Sequence, residues 1–356
     1  MNIGQKIKQL RFQRSLTQDQ LAERLGISAQ AVSKWENAVS MPDISILPTL
    51  SEVFGVSIDD LFDLADDQKM RRIENRMQTD DDIAPELFQE YETFLKEQMD
   101  KDNSEPNAIN LLARLYHHKM ETYGRKAGLY ARKAISRSPG EKDCQWILQK
   151  AEGSAIWDWN IANHSKTIDF YKAVINSITE SPHPALPYHY LIEELIADHR
   201  TQEAKEYLEC LKKLPVSKPV LIPVYEAMIA LAEFDEPAAD AIIEKALTDF
   251  DGNADMYYQA AQYYARKCDY DKAIKLYDAS YTAGEDKKPR FTDALEGIAM
   301  IYEILKDYNN ALVARKRILE ALKNEWGYSD EEVYYRNTLH EIERLKQMIV
   351  LSERIK

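Results

Sequence analysis

The sequence predicts an all-α protein: an N-terminal bundle of five short helices followed by an array of stacked helical pairs. Three observations carry this. Only 11 glycines and 13 prolines occur in 356 residues, and β-branched residues rarely cluster, so strands and their turns have little to build on. The stretch from Leu16 to Phe62 has the capping pattern of short helices joined by tight turns. From about residue 254 onward a helical pattern repeats itself.

The head starts with a capping box. Thr17 followed by Gln20 reads T-x-x-Q, so a helix begins there. Leu21, Ala22 and Leu25 give it one apolar face, with the small Ala22 where a second helix comes close. Gly26 ends it, because positive φ costs little only for glycine. Ser28 caps the next helix, whose inner face is Val32 and Trp35. Two short helices around a glycine-containing turn form a helix-turn-helix.

These residues resemble the lambda-repressor and Cro type of helix-turn-helix, the Xre family of bacterial regulators, over about the first 65 residues. The resemblance implies that the second helix of the motif lies in the major groove of an operator. Carried onto this chain, Ala29, Gln30, Ser33 and Lys34 would read bases. Gln30 suits adenine, Lys34 guanine acceptors, and Ala29 a thymine methyl. Gln18 and Asn37 would hold phosphates. Arg11 and Glu36 match a family pair that ties the first helix to the recognition helix. The chain departs from the pattern at Ala38, where the family usually has glycine, and positive φ there would cost about 1 kcal/mol.

Charge qualifies the picture. Residues 1–42 carry a local balance of +3, residues 43–68 carry −7, and the whole chain carries −14. General nucleic-acid binders neutralise many phosphates and are basic, so this chain is expected to find one site as a homodimer, each head binding weakly alone.

Residues 66–82 are highly charged and read as a solvated linker, leaving 1–65 as the DNA-binding domain and 83–356 as the repeat domain. Within that domain the segments from Ala254 and Thr292 align at a shift of 38. Ala261 then falls on Ala299, Tyr270 on Tyr308 and Ala273 on Ala311. The marker alanine runs back through Ala239 and Ala204 at spacings of 34 and 35. An earlier unit is expected around Ala127, Ala131, Ala134 and Pro139, and a weaker one near Thr167 with Trp157 and Trp159 on its first helix, as core residues or, alternatively, as part of a groove. Residues 330–356 read as a closing helix.

A period near 34 with small and aromatic markers resembles the tetratricopeptide repeat, whose units bury their apolar faces only by stacking into a superhelix. In that family the first helix of each unit lines the groove. The matching positions here are Tyr116, His189, Glu193, Tyr258, Gln262 and Arg266, with Val224, Met228 and Leu231 as an apolar centre. The competing reading of the tyrosines is core packing. A Xre-type head joined to such repeats resembles the peptide-sensing regulators of Gram-positive bacteria. That resemblance implies a cytoplasmic dimer whose groove takes a peptide or protein ligand.

The remaining readings are exclusions. Cys144, Cys210 and Cys268 are odd in number and widely spaced, as in reduced thiols rather than disulfides or a metal site. The seven histidines show no ligand spacing, and no phosphate-binding loop, nucleophile elbow or zinc motif is present. No cofactor, metal, catalysis, signal peptide or membrane span is expected. The rival reading is a repeat-based interaction scaffold that uses the head as a docking module.

Overall fold

The computed structural model describes residues 3–56, 58–62, 66–101, 106–140, 142–154, 156, 158–178, 183–215, 218–284 and 287–355, and every regular element among them is helical. The head contains α1 (Ile3–Gln13), α2 (Gln18–Leu25), α3 (Ala29–Glu36), α4 (Leu47–Phe54) and α5 (Ile58–Leu61), with a single 3₁₀ turn at Ile44–Ile46 before α4. Its core is continuous: Ile7 of α1, Leu21 of α2, Val32 of α3, Leu50 of α4 and Leu61 of α5 are all fully buried. Each short helix is marginal by itself, so this shared core holds the set together.

The segment expected to be a solvated linker contains α6 (Asp66–Thr79). It is followed by α7 (Pro85–Lys101) and α8 (Pro106–Arg137). Ile73 of α6 is buried with Ile83, Tyr91 and Leu95 and with Ala108, Leu111 and Leu115 of α8. Met70 and Met77 of α6 pack against the same cluster, so three apolar residues in a charged run seat the helix. The chain divides into two compact units, Met1–Gly124 and Arg125–Lys356.

The helical pair expected around Ala127 and Pro139 differs from its expectation. Residues 106–137 form one continuous helix. The stretch from His117 to Lys126 offers Lys, Met, Glu and Arg, good helix formers, with no proline to stop it. Two shorter helices follow, α9 (Lys142–Ala151) and α10 (Trp159–Ala162). Trp159 is 77% exposed rather than core, because α10 is a single turn with no buried residue of its own. Trp157 lies outside the described residues.

From α11 (Ser165–Ser177) the array becomes regular. It runs through α12 (Leu186–Ala197), α13 (Thr201–Leu211), α14 (Leu221–Ala232), α15 (Glu236–Asp249), α16 (Ala254–Arg266), α17 (Tyr270–Ala283), α18 (Asp293–Ile304) and α19 (Tyr308–Asn324). Each marker alanine (Ala204, Ala239, Ala273 and Ala311) is completely buried. Each lies five residues after a non-glycine residue in the left-handed region: His199, Phe234, Cys268 and Lys306, at φ 56° to 64°. At every such turn the following amide reaches back to the carbonyl five residues earlier: Arg200 to Leu195, Asp235 to Ala230, Asp269 to Tyr264 and Asp307 to Tyr302, at 2.8 to 3.0 Å. This is a Schellman closure. Asp235, Asp269 and Asp307 then cap the next helix through their side chains. The sequence repeat is therefore a repeat of a whole turn device. Last, α20 (Val333–Ile355) packs on α19.

Candidate nucleic-acid interface

Local chemistry sets the two helices of the motif. Thr17 Oγ1 accepts from Gln20 N at 3.1 Å, while Gln20 Oε1 accepts from Thr17 N at 2.9 Å, closing both halves of the capping box. Gly26 stops α2 at φ 67°. Ser28 Oγ accepts from Ala31 N at 3.3 Å to start α3. Val32, Trp35 and Glu36 form the buried side of α3. Ala29, Gln30, Ser33, Lys34 and Asn37 follow one another at offsets of one, three, one and three residues, so they share the opposite face. Gln30, Lys34 and Asn37 on it are exposed, and Ala29 and Ser33 are half-buried.

A buried ion pair fixes the pitch of that face. Arg11 donates to both oxygens of Glu36, Nε to Oε1 at 2.6 Å and Nη2 to Oε2 at 2.8 Å, and Arg11 Nη1 reaches Leu16 O at 2.8 Å. This ties α1, the entry to α2 and the end of α3 together. Burial alone would raise the Glu36 pKa, but the donors from Arg11 and Gln18 outweigh it and hold the carboxyl below its ordinary value. Its hydrogen bond to Glu36 raises the pKa of Arg11 in turn.

Two expected phosphate holders have definite positions. Gln18 Nε2 donates to Glu36 Oε2 at 2.8 Å, so its amide nitrogen faces the ion pair. Asn37 Nδ2 donates to Ser33 O at 2.8 Å. Ala38 does adopt the left-handed turn, at φ 57°, and Val39 N closes on Lys34 O at 2.8 Å. The chain accepts the strain of the alanine instead of rerouting the exit.

Of the six candidate groove residues, Tyr116 belongs to the first unit. It stands on α8, with its ring edge-on to Phe88 at 5.5 Å and its hydroxyl on Glu92. The other five lie on α12 and α16. Tyr225 OH donates to Glu193 Oε1 at 3.1 Å and lies 3.1 Å from His189 Nδ1, so His189 is the donor in that second bond. Burial lowers the His189 pKa and raises that of Tyr225, and Glu193 raises the latter further. The result is a hydrogen-bonded chain that links α12 to α14 and ends on the Glu193 carboxyl group. Tyr225 was not among the sequence candidates, although it falls one repeat after His189. On α16, Gln262 Nε2 donates to Tyr258 OH at 3.0 Å, and Arg266 is exposed. Tyr258 also lines a cleft of ≈ 440 Å³ with Asp255, Ser280, Tyr281 and Arg290. Val224 is buried, and Met228 and Leu231 pack partly buried against the same core.

Among the described residues no group of three or more His, Cys, Asp or Glu side chains is placed to hold a metal. None of the described helices is long and apolar enough to cross a membrane.

A capped, ion-paired two-helix motif in a five-helix bundle defines a helix-turn-helix head. A family described as "Helix-turn-helix" matches residues 7–61. An uncharacterised HTH-type transcriptional regulator of Methanocaldococcus jannaschii is 35% identical over 63 residues, covering 18% of this chain and 96% of that protein. The chain belongs to the helix-turn-helix family of transcriptional regulators. It is also 40% identical over 76 residues to the HTH-type transcriptional activator BcrR of Enterococcus faecalis, covering 21% of this chain and 37% of that protein. The chain thus spans little more than a third of that relative's length. Among solved structures, Bacillus thuringiensis PlcR in complex with the peptide PapR7 and DNA aligns at 14% identity. That alignment covers 80% of this chain and 94% of PlcR, with a TM-score of 0.29.

Proposed function

We propose that this chain is a cytoplasmic, dimeric transcriptional regulator that reads a DNA operator through α3 and senses a peptide or protein ligand in its repeat groove. The observation that carries the DNA half is the outer face of α3. Gln30 and Lys34 project from a helix whose start is capped and whose end is locked by the Arg11–Glu36 pair. Rigid presentation of a few base-reading side chains is what groove readout requires. Asn37 and Gln18 then serve phosphates, with Gln18 exchanging its Glu36 bond for the backbone. Dimerisation follows from geometry, since two recognition helices must address half-sites about 34 Å apart.

The sensing half is supported by the His189–Tyr225–Glu193 chain and by Tyr258, Gln262 and Arg266. These are polar groups on the first helices of the regular pairs, beside the apolar Val224, Met228 and Leu231. The groups that reach the surface are Glu193 and Arg266, exposed, and Tyr258 and Gln262, half-buried, while Val224 is spent on the core; such a polar surface suits an extended peptide.

The test is a titration of the full chain, at physiological salt, against DNA from upstream of its own gene. A Gln30→Ala, Lys34→Ala variant and a scrambled duplex run beside it. Tight binding that is lost in the variant and absent from the scramble is the expected result. Equal weak binding to all three, unchanged by a cell peptide extract, would sink the operator reading. For the groove, the full chain should retain a peptide from that extract, and Glu193→Ala should lose it.

A further inference from the structure

The last helices of the array enclose a pocket of ≈ 240 Å³ lined by four aromatic side chains, Phe291, Trp326, Tyr328 and Tyr334, with Asp293 on its wall. Local structure assembles it. Residues 284–292 connect α17 to α18, against 250–253 between α15 and α16, and the longer connection carries Phe291. In repeat arrays such lengthened loops often mark the binding face. At the end of α19, Gly327 turns at φ 70° and Tyr328 N closes on Leu322 O at 2.9 Å, so Trp326 and Tyr328 flank one tight turn. Tyr334 comes from the start of α20. The Trp326 ring lies 5.6 Å from Phe291 and 5.9 Å from Tyr328, tilted at 54° and 49° to them rather than stacked. Trp326 and Tyr328 are half-buried, whereas Phe291 is 76% and Tyr334 40% exposed, so the core uses only part of this aromatic surface.

We propose that this pocket holds the cationic side chain, lysine or arginine, of a bound peptide. The inference rests on the peptide-sensing reading above and names a residue that the peptide must carry. Aromatic faces are negative and attract a cation within about 6 Å of the ring centre. The polar edges of two of the rings are already satisfied. Trp326 Nε1 donates to Arg290 O at 2.7 Å. Tyr334 OH donates to Glu296 Oε1 at 3.0 Å and accepts from Thr292 Oγ1 at 2.7 Å. What these rings still offer is their faces.

Charge and size select the occupant. The exposed Asp293 carboxylate has no hydrogen bond or ion pair among the described residues. The cations nearest in the chain are held by other acids, Arg290 by Glu325 at 3.0 Å and Arg315 by Glu296. Lys287 lines the adjoining cleft and not this pocket. Burial, with the charges of Glu296 and Asp293 adding to it, pushes the Tyr334 hydroxyl up to about 12, so both acids act on the pocket. The chain beyond residue 68 carries the remaining −10 of the net charge, a field that draws cations. The volume lies below the roughly 300–1,000 Å³ of sites for drug-sized ligands, and it suits one ammonium or guanidinium group with its stem. Phe291 and Asp293 also line the cleft of Tyr258, so a peptide in that cleft can place one side chain here.

The test follows the emission of Trp326 in the full chain, isolated by difference from a Trp326→Phe variant. The probes are the blocked amino acids N-acetyl-lysine amide and N-acetyl-arginine amide, their uncharged counterpart N-acetyl-norleucine amide, and choline. A basic probe should bind about 5-fold or more tightly than norleucine, and a Phe291→Leu, Asp293→Asn variant should lose about 5-fold or more of that affinity. Both substituted side chains are exposed, so the fold should survive, as an unchanged melting temperature would show. The norleucine comparison needs no variant and covers the case of a misfolded one. Equal binding of charged and uncharged probes, or a folded variant that binds like the wild type, overturns the cation assignment. Choline binding more tightly than both basic probes overturns the peptide source in favour of a small ammonium compound. A peptide that the chain retains from cell extract equally well with and without the two substitutions overturns the pocket and leaves the sensing reading standing. Basic probes that bind to a chain retaining no peptide overturn the sensing reading and the peptide source with it.

Discussion

Ala38 holds a conformation that L-residues avoid, at φ 57° in the turn leaving the recognition helix. Ala38→Gly should therefore stabilise the head by about 0.5–1 kcal/mol, the relieved strain less the extra freedom glycine has when unfolded. A higher urea midpoint with an unchanged slope checks it. The Arg11–Glu36 pair should act in the opposite direction. Arg11→Met leaves Glu36 buried without its main donor and should cost about 3–5 kcal/mol, read as a fall in the head's melting temperature. The same pair makes the head acid-sensitive. The Glu36 pKa is lowered on folding, so its stabilisation is present above the ordinary carboxylate value of about 4.3 and is lost as pH falls through the lower folded value. An Arg11→Met head should lose that part of its acid sensitivity. Much of this was legible in the sequence because caps and turns act over a few residues: Thr17, Gln20, Gly26 and Ser28 each do what their spacing predicts. The partner of Gln18 was not, since Glu36 is 18 residues away and only the tertiary fold joins them.

The repeat turn is the unit of the array at the scale of elements. The buried alanines were readable because a small residue is required wherever two helices cross closely, and that requirement recurs once per pair. The left-handed residues were not, because His199, Phe234, Cys268 and Lys306 share no side-chain chemistry and are set by backbone closure alone. Lys306→Gly should raise stability by about 0.5–1 kcal/mol for the same reason as in the head. A glycine within a helix gives the contrary case. A Cβ at Gly297 of α18 would stand 2.6 Å from the Tyr277 ring of α17. Gly297→Ala gains about 1 kcal/mol of helix propensity but overpacks a buried ring, at about 1–3 kcal/mol. The variant should be the less stable one, as measured by calorimetry. The continuous α8 escaped the sequence reading for a related reason. A small-residue pattern spaced like a helical pair also fits one long helix when nothing between its halves breaks it.

Charge separation governs how the whole molecule meets DNA. All of the net positive charge sits in residues 1–42, and the rest of the chain is acidic enough to bring the total to −14. Of the six cations in that segment, Arg11 is spent on Glu36 and Arg14 on Phe54 O at 2.6 Å. Lys8, Arg24 and Lys34 are the candidate phosphate neighbours, since Lys6 already has an interaction of its own. Each neutralised phosphate contributes about −0.9 to the slope of log K against log salt, so a dimer using only these cations of its two heads should show a slope no steeper than about −5. The acidic remainder should keep non-specific binding weak at physiological salt, which makes the ratio of operator to scrambled DNA large for so few cations. Titrations between roughly 50 and 200 mM salt give the slope directly. A steeper value would mean that cations beyond these three also touch the duplex.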